Sequence, residues 1–283
     1  MQFEPITSRI GARVRGIDLS HPISAADVAA IRAGLDEHAV LFFVEQPQLA
    51  AEQQVRFARA FGEVEITPFQ TAGSPMPEMM VLEQTEPKGQ GADHWHADST
   101  FFETPPMGSV LQAHVLPATG GDTCFSSMYA AYEALSPAIR SFLDGLSAWH
   151  HPRPTLERTR DKALYKPNPA LYERDPVLHP VVAVNPRTAR RQLYVNANFT
   201  IAIDGLEKAE SDHWLRFLFE HIKSPEFQLR YRWSEGDVAF WDNQAVHHYA
   251  VADYASRRVM QRVTLVGERP IGIGGLPVAR AAA

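Results

Sequence analysis

Short runs of β-branched and aromatic residues, separated by Gly, Pro and Asn, fill most of the chain after Met79. Several short strands at such spacing are typical of a β-sandwich or barrel. Between Phe227 and Trp233, apolar residues alternate with polar ones, as expected for a strand with one buried face. The predicted strands are 79–83, 109–116, 178–184, 191–196, 226–233, 237–241 and 257–266. The turn 234–237 is predicted to join two of them in a β-hairpin.

Helices are predicted on both sides of this strand region. Ser24 and Asp27 have the spacing of a capping box ahead of a helix over 25–38, which the buried strand 39–44 follows. Further helices are predicted from Pro47 to Gly62, from Pro137 to Gly145 and over 207–223. The fold class is therefore mainly β with flanking helices, in a single domain over 1–283. Within it, 152–176 is predicted to form a mobile flap and 270–283 a loose tail.

Composition excludes several classes of protein. A hydrophobic fraction of 45% provides a sizeable core and argues against a disordered chain. Lys and Arg number 27 against 33 Asp and Glu, and the resulting net charge of −6 makes nucleic acid an unfavourable partner. The one cysteine, Cys124, fits a reducing compartment. With neither an apolar leader nor a run of 18 apolar residues, we expect a cytoplasmic protein that does not span a membrane.

The most informative short motif is His96-Ala97-Asp98, because in an extended segment residues two apart point to the same face. A third metal ligand would have to come from elsewhere, and His247 and His248 follow a predicted strand near the other end of the chain. Two histidines and one carboxylate on one face suit Fe(II) and O₂ activation. Taken alone, the motif is better explained by a simple hydrogen bond between His96 and Asp98. His94 or His247 could also serve as ligands, but each is more simply explained as a residue beside the ligands or in the pocket.

Other sequence blocks give this motif a context. In order along the chain these are Trp95–Phe101, Gly120–Thr123, Ala131–Leu135, Phe240–Asn243 and Arg257–Arg262. Together they resemble the taurine dioxygenase (TauD/TfdA) family of Fe(II)/2-oxoglutarate-dependent dioxygenases, and the resemblance extends from Gly11 to about Arg269. It implies a double-stranded β-helix, the jelly roll of cupin-like proteins, which agrees with the independent count of strands and helices.

The resemblance implies a role for individual residues. His96, Asp98 and His248 would be the iron ligands, and His248 is preferred to His247 because the family's distal ligand lies seven residues after the tryptophan that matches Trp241. Arg258, with the hydroxyl of Thr123, would bind the distal carboxylate of 2-oxoglutarate.

Arg262 lies four residues further along the same predicted strand as Arg258, hence on the same face, and would bind an anionic substrate. A solvated basic strand is the alternative interpretation, but the apolar residues that alternate with the arginines indicate one buried face. Since Asp98 is a carboxylate, halogenation is not expected, because the resemblance implies that halogenating relatives lack this ligand.

Substrate identity is less constrained than the metal site. Thr67, Gln70 and Ala92 stand where taurine-specific members have His, Tyr and Asn, so taurine itself is in doubt. We count Ser99 with the substrate site, and Phe199 as part of an apolar wall, to which Phe102 could also belong. The expected substrate is a small organic anion such as an alkyl sulfonate, an alkyl sulfate or an aryloxyalkanoate.

The expected reaction is hydroxylation that consumes O₂ and 2-oxoglutarate and releases succinate and CO₂. Two alternatives stay open on sequence alone. One keeps the cofactors but leads to desaturation, epimerisation or ring formation. The other is a non-catalytic jelly roll that binds metal or small anions. Relatives are often homodimers or homotetramers, so the same is possible here.

Overall fold

A seven-stranded sheet combines strands from both ends of the chain in the computed structural model, which describes residues 1–66, 74–85, 92–159, 170 and 173–274. In chain order the strands are β1 (Gln2–Pro5), β2 (Ala12–Arg15), β3 (Val40–Phe43), β4 (Met79–Gln84), β5 (Gly108–Val115), β6 (Thr123–Ser127), β7 (Ser147–His150), β8 (Val177–Pro180), β9 (Val182–Val184), β10 (Arg191–Leu193), β11 (Thr200–Ile203), β12 (Gln228–Tyr231), β13 (Val238–Asp242), β14 (Val246–Ala250) and β15 (Arg258–Leu265). The order in the large sheet is β1-β2-β3-β13-β5-β15-β4.

Three smaller sheets have the orders β12-β6-β14, β11-β7-β8 and β10-β9. The helices are α1 (Ala25–His38), α2 (Ala51–Arg59), α3 (Met128–Glu133), α4 (Pro137–Leu143), α5 (Arg153–Thr159) and α6 (Lys208–His221). Among the described residues, no helix has both the length and the apolar composition needed to cross a membrane.

The two faces of the large sheet bury different cores, because successive side chains of a strand point to opposite faces. On β13, Val238 and Phe240 pack in one core with residues of α1 and α2. Ala239 and Trp241 pack on the other face against the β12-β6-β14 sheet. The large sheet therefore has helices on one side and a second sheet on the other, as predicted for a mainly β fold with flanking helices.

The predicted hairpin around 234–237 is wrong. β12 pairs with β6, whereas β13 pairs with β3 and β5, so the two strands lie in different sheets. The Asp237 carboxylate accepts hydrogen bonds from the Ser234 N–H and the Tyr231 hydroxyl, and the Gly236 N–H donates to the Ala113 carbonyl. These bonds tie the turn to β5 and lead the chain from one sheet to the other.

Other predicted elements are present in the structure, some of them with different boundaries. Helix α1 has the predicted bounds, and its capping box between Ser24 and Asp27 is present. Helix α2 begins at Ala51 rather than at Pro47, because the Leu49 N–H and the Pro47 carbonyl bond to the buried Gln112 side chain. The predicted strand 178–184 is split into β8 and β9.

Several elements were missed by the sequence pattern: strands β1, β2, β6, β7, β11 and β14, and the short helices α3 and α5. Helix α5 lies in the segment that was predicted to be a flap. Residues 160–169 and 171–172 of that segment lie outside the described residues, as do 275–283 of the predicted tail.

Close packing between β5 and β13 gives a first testable prediction. A Cβ on Gly108 would lie 2.3 Å from the Trp241 carbonyl oxygen, so Gly108→Ala should force the strands apart. We expect the free energy of unfolding to fall by about 1–3 kcal/mol. Gly145→Ala is the control, because nothing lies within 4 Å of its added Cβ. Chemical denaturation of both variants checks this, and equal stability would contradict the packing argument.

Candidate metal centre

Backbone pairing brings two histidines from distant parts of the chain together. The His96 N–H donates to the His248 carbonyl at 3.1 Å, and the His248 N–H donates to the His96 carbonyl at 2.8 Å. This single bridge continues the β12-β6-β14 sheet beyond β14. The two imidazole centroids are 4.4 Å apart, so both rings lie on the same side of the bridge.

Asp98 completes a group of three possible metal ligands. Its Oδ1 lies 3.5 Å from Nε2 of His96 and 3.8 Å from Nε2 of His248, and one donor atom from each residue lies within 4.8 Å of the others. All three residues are buried, and the structure shows no second group of this kind among its described residues. Two imidazoles and a carboxylate are the donor set that suits Fe(II).

Hydrogen bonding fixes how the first histidine faces this group. Nδ1 of His96 lies 2.7 Å from the His94 carbonyl oxygen, which can only accept, so Nδ1 carries the proton. Nε2 is therefore the free donor atom and points toward Asp98, the usual orientation of a metal-binding imidazole. The residues present thus fit a bound iron ion.

The protonation states of Asp98 and His248 also suit metal binding. Burial raises the pKa of the Asp98 carboxyl, but the charge of Arg262, with smaller contributions from the neighbouring His248 and His96, outweighs burial and holds that pKa well below its usual range. Burial, followed by the neighbouring His96, lowers the pKa of His248 well below its usual value. An ionised carboxylate and a neutral imidazole are the forms that bind a metal.

Arg262 is the closest cation to this group. Its Nη1 lies 3.3 Å from Oδ1 and 3.2 Å from Oδ2 of Asp98, whereas its buried Nε has no hydrogen-bond partner among the described residues. The sequence had suggested Arg262 as a substrate-binding residue. The structure shows that it lies at the metal group itself and has donor capacity left over.

Asn243 holds the backbone of Asp98, and sequence reasoning gave it no role of its own. Its Oδ1 accepts from the Asp98 N–H at 2.7 Å, and its Nδ2 donates to the carbonyls of Asp98 at 3.0 Å and of Pro106 at 3.2 Å. Asn243 is fully buried, so nothing competes for these bonds. The only available signal was its position in the block Phe240–Asn243.

The residue after Asp98 has an unusual backbone. Ser99 has φ 50°, in the left-handed region that non-glycine residues seldom adopt. Asn243 fixes the chain before it, and after it the Thr100 hydroxyl is 2.9 Å from Nδ1 of His150 and accepts from Nδ2 of Asn196 at 3.0 Å. Such strain persists only where its surroundings enforce it. Ser99 itself is partly buried beside the metal group.

A second buried cation lies at the start of β15. Arg258 is 4% exposed, and its Nε donates to the Gly121 carbonyl at 3.1 Å. No carboxylate lies within ion-pair distance of it in the described part of the chain, whereas the neighbouring Arg257 is exposed and pairs with Glu83. Gly121, with φ 75°, allows this approach, since a Cβ there would lie 3.2 Å from the arginine. The Thr123 hydroxyl, which accepts from Nε1 of Trp233 at 3.0 Å, makes no direct bond to Arg258.

An apolar cluster adjoins the strained segment. Phe101, Leu156 and Phe199 are buried together, and Phe102 packs against them while partly exposed. The ring centroids of Phe101 and Phe199 are 5.0 Å apart. Leu156 comes from α5, so the region predicted as a flap contributes to this wall.

The remaining candidate site residues from the sequence are Ala92, Thr67, Gln70 and His247. Ala92 is exposed, and its carbonyl accepts from the Ala250 N–H at the end of β14. Thr67 and Gln70 lie outside the described residues. His247 points away from the metal group, where burial lowers its pKa to about 3, and its Nδ1 has no partner among the described residues.

Comparison with known proteins places these features in a family. A model described as "Taurine catabolism dioxygenase TauD, TfdA family" matches residues 2–264. An α-ketoglutarate-dependent sulfate ester dioxygenase from Pseudomonas putida is 38% identical, over 97% of this chain and 92% of the relative. An alkylsulfatase from Acinetobacter baylyi is 35% identical, over 98% and 88%.

A solved structure of similar fold supports the same family. The crystal structure of a taurine dioxygenase from Burkholderia xenovorans has a TM-score of 0.83 and 35% identity, covering 98% of this chain and 94% of that one. This likeness confirms the predicted jelly-roll fold.

The bonds made by Asn243 lead to a prediction about metal affinity. Asn243→Ala should free the Asp98 backbone, relax Ser99 and weaken Mn(II) or Co(II) binding by about 10- to 100-fold, the usual effect of losing a group that orients a ligand. Gln244→Ala is the control, because among the described residues that side chain makes one bond, of 3.5 Å, to the Glu268 carbonyl. Calorimetric titration of both variants, after thermal unfolding shows that they are folded, checks the prediction. Unchanged affinity in Asn243→Ala would exclude this positioning role.

Proposed function

Because the chain belongs to the TauD/TfdA family of dioxygenases, we propose that it hydroxylates a small organic anion, foremost an alkyl sulfate ester. The protein is an oxidoreductase that uses Fe(II), 2-oxoglutarate and O₂. The observation that carries the substrate proposal is Arg262, which lies at the metal group with unused donor capacity. A partly buried guanidinium whose buried Nε lacks a partner among the described residues favours an anion.

We infer that His96, Asp98 and His248 hold the iron. Their donor set, mutual distances and protonation states support this assignment. When bound, the iron with 2-oxoglutarate and O₂ supplies the oxidising chemistry that inserts oxygen into a C–H bond. The residues of the chain provide ligands in the correct ionisation state and hold them in place through Asn243 and the His94 carbonyl.

We infer that Arg258 binds the distal carboxylate of 2-oxoglutarate. It is buried, and no described residue supplies a carboxylate partner, which would be costly unless a ligand supplied one. Burial lowers its pKa, and Thr123 lies on β6 of the β12-β6-β14 sheet, two residues after the Gly121 that accepts from Arg258, with its hydroxyl oriented by Trp233. The hydroxyl proton remains available for the ligand, because Thr123 accepts from the indole.

We propose that the apolar wall formed by Phe101, Leu156 and Phe199 orients the alkyl part of the substrate and excludes water from the reacting carbon. Hydroxylation of the carbon that bears the sulfate oxygen gives an unstable product. Its C–O bond to sulfate then breaks, so that an aldehyde and inorganic sulfate leave together with succinate and CO₂. The relatives named as a sulfate ester dioxygenase and an alkylsulfatase support this substrate ahead of sulfonates and aryloxyalkanoates.

Three further inferences concern the whole protein. We propose that 1–283 forms one catalytic domain, because β1 and β15, from opposite ends of the chain, share one sheet. A cytoplasmic location is supported by the single cysteine, which is free and buried. Association into a homodimer or homotetramer is supported by the exposed Phe142 and Phe217, which flank Trp214 on α4 and α6.

Turnover should depend on the Asp98 carboxylate. Anaerobic protein with Fe(II) and 2-oxoglutarate is expected to show a visible charge-transfer band, and a screen of alkyl sulfates, sulfonates and aryloxy acids should give succinate most rapidly with an alkyl sulfate. Asp98→Ala should lower succinate release by at least about 100-fold, since it removes a metal ligand. A protein that only binds metal or anions would release no succinate with any compound, and that outcome would refute the proposed function.

Substitution of Arg262 and substitution of Arg258 should each raise the KM for a different substrate. Arg262→Ala should raise the KM for an alkyl sulfate by about 100-fold, the cost of losing a buried charged partner, and change the KM for 2-oxoglutarate far less. Arg258→Ala should raise the KM for 2-oxoglutarate far more than the KM for the alkyl sulfate. Arg262→Lys, which keeps a positive charge beside Asp98, controls for loss of metal. Steady-state kinetics checks this, and equal effects on both KM values would mean that the roles are assigned wrongly.

A further inference from the structure

Glu65 lies on the same face of the large sheet as Arg262, although it belongs to a segment that sequence reasoning left without a role. Val64 bridges to Leu265 of β15, and the Glu65 N–H donates to the Thr264 carbonyl at 2.8 Å. The Val64 side chain packs in the core beneath α1 and α2. Glu65, the next residue, therefore points to the opposite face, which it shares with Thr264 and Arg262.

The charges around Glu65 support this position. Burial raises the pKa of its carboxyl, the Arg262 charge lowers it and the Asp98 charge raises it, with a net increase. Glu65 is half-buried and makes no ion pair with a described residue, while Arg262 pairs with Asp98. The Arg262 guanidinium, which pairs with the Asp98 carboxylate, therefore lies on the same sheet face as a second carboxylate, that of Glu65.

We propose that Glu65 is a specificity-determining residue that restricts the anion bound at Arg262 to a single negative charge. Sulfate esters, sulfonates and carboxylates meet this condition, whereas phosphate monoesters, which are largely dianions at pH 8, do not. The proposal rests on the proposed function, because it concerns the anion that Arg262 holds there.

Charge, rather than shape, is the property that such a site can use. A sulfate ester and a phosphate monoester have the same tetrahedral head and the same bridging oxygen, so a pocket that fits one also fits the other. The second charge of the phosphate would lie near both the Glu65 and the Asp98 carboxylates. At a separation of about 6 Å in a partly buried site, such repulsion lowers affinity by roughly 10- to 100-fold.

The test compares hexyl sulfate with hexyl phosphate, which differ in charge and hardly in size. Binding is measured by calorimetry at pH 8 on Zn(II)-loaded protein with 2-oxoglutarate, so that no turnover is needed. The wild-type protein should bind the sulfate at least about tenfold more tightly than the phosphate. Glu65→Gln should reduce this preference by about tenfold, mainly because the phosphate binds more tightly.

Two variants control the comparison. Glu63→Gln removes the same charge from an exposed position two residues earlier and should leave the preference unchanged. Glu65→Asp keeps the charge and should also retain it, which separates the effect of charge from any loss of packing. If Glu65→Gln keeps the wild-type preference, or if the wild-type protein binds neither ester, the proposal is wrong.

Failure of this proposal is distinct from failure of the proposed function. Succinate release by the Fe(II) enzyme with hexyl sulfate, together with an unchanged preference in Glu65→Gln, would reject the role of Glu65 alone. Ester binding that responds to Glu65→Gln, in a protein that releases no succinate, would reject the oxygenase and support the role of Glu65.

Discussion

The paired backbone hydrogen bonds between His96 and His248 are the constraint on which the site depends. They join a segment that precedes β5 to the strand that follows β13, so two imidazoles meet although neither segment has its partner nearby in sequence. Asp98 is then placed by the period of an extended chain, two residues beyond His96. Asn243 and Arg262 hydrogen-bond to Asp98, and the strained Ser99 follows it, so all three depend on this placement of Asp98.

The charges around the site are arranged for ligands rather than for stability. Arg258 is buried without a carboxylate within reach in the described part of the chain, and Arg262 keeps an unpartnered Nε. Each costs desolvation that the described residues offset only in part. Both lie on β15, a central strand held by β5 on one side and β4 on the other, so the two guanidinium groups have fixed positions. Two anions can therefore be held at different places along one strand.

Local patterns predicted local features well. The capping box of Ser24 gave the bounds of α1, and the alternation from Phe227 to Trp233 gave the buried face of β12. Patterns failed where long-range pairing decides the outcome. The hairpin at 234–237 was wrong because a turn between two strands does not reveal which sheet each strand joins. Strand β6 was missed because it is buried on both faces and so shows no alternation.

The same distinction applies to the site. His96 and Asp98 could be selected from the sequence because their spacing places both on one face and the blocks around them resemble those of the family. Asn243 and Glu65 could not, since the role of Asn243 depends on hydrogen bonds across sheets and that of Glu65 on its pairing with β15. No spacing rule in the sequence identifies a side chain that comes near a ligand only through the pairing of distant strands.

Substrate selection is divided between elements that can vary separately. In the proposed site, Glu65 and Arg262 would act on the charged head from the large sheet, whereas Leu156 of α5 and Phe199 would act on the apolar part. Neither pair bonds to the histidine ligands. Under this proposal, a change in the apolar wall would alter the alkyl chain that is accepted without disturbing the metal, while a change at Glu65 would alter the accepted charge. Such independence gives a physical reason why one metal geometry can serve substrates as different as sulfate esters and taurine within a single family.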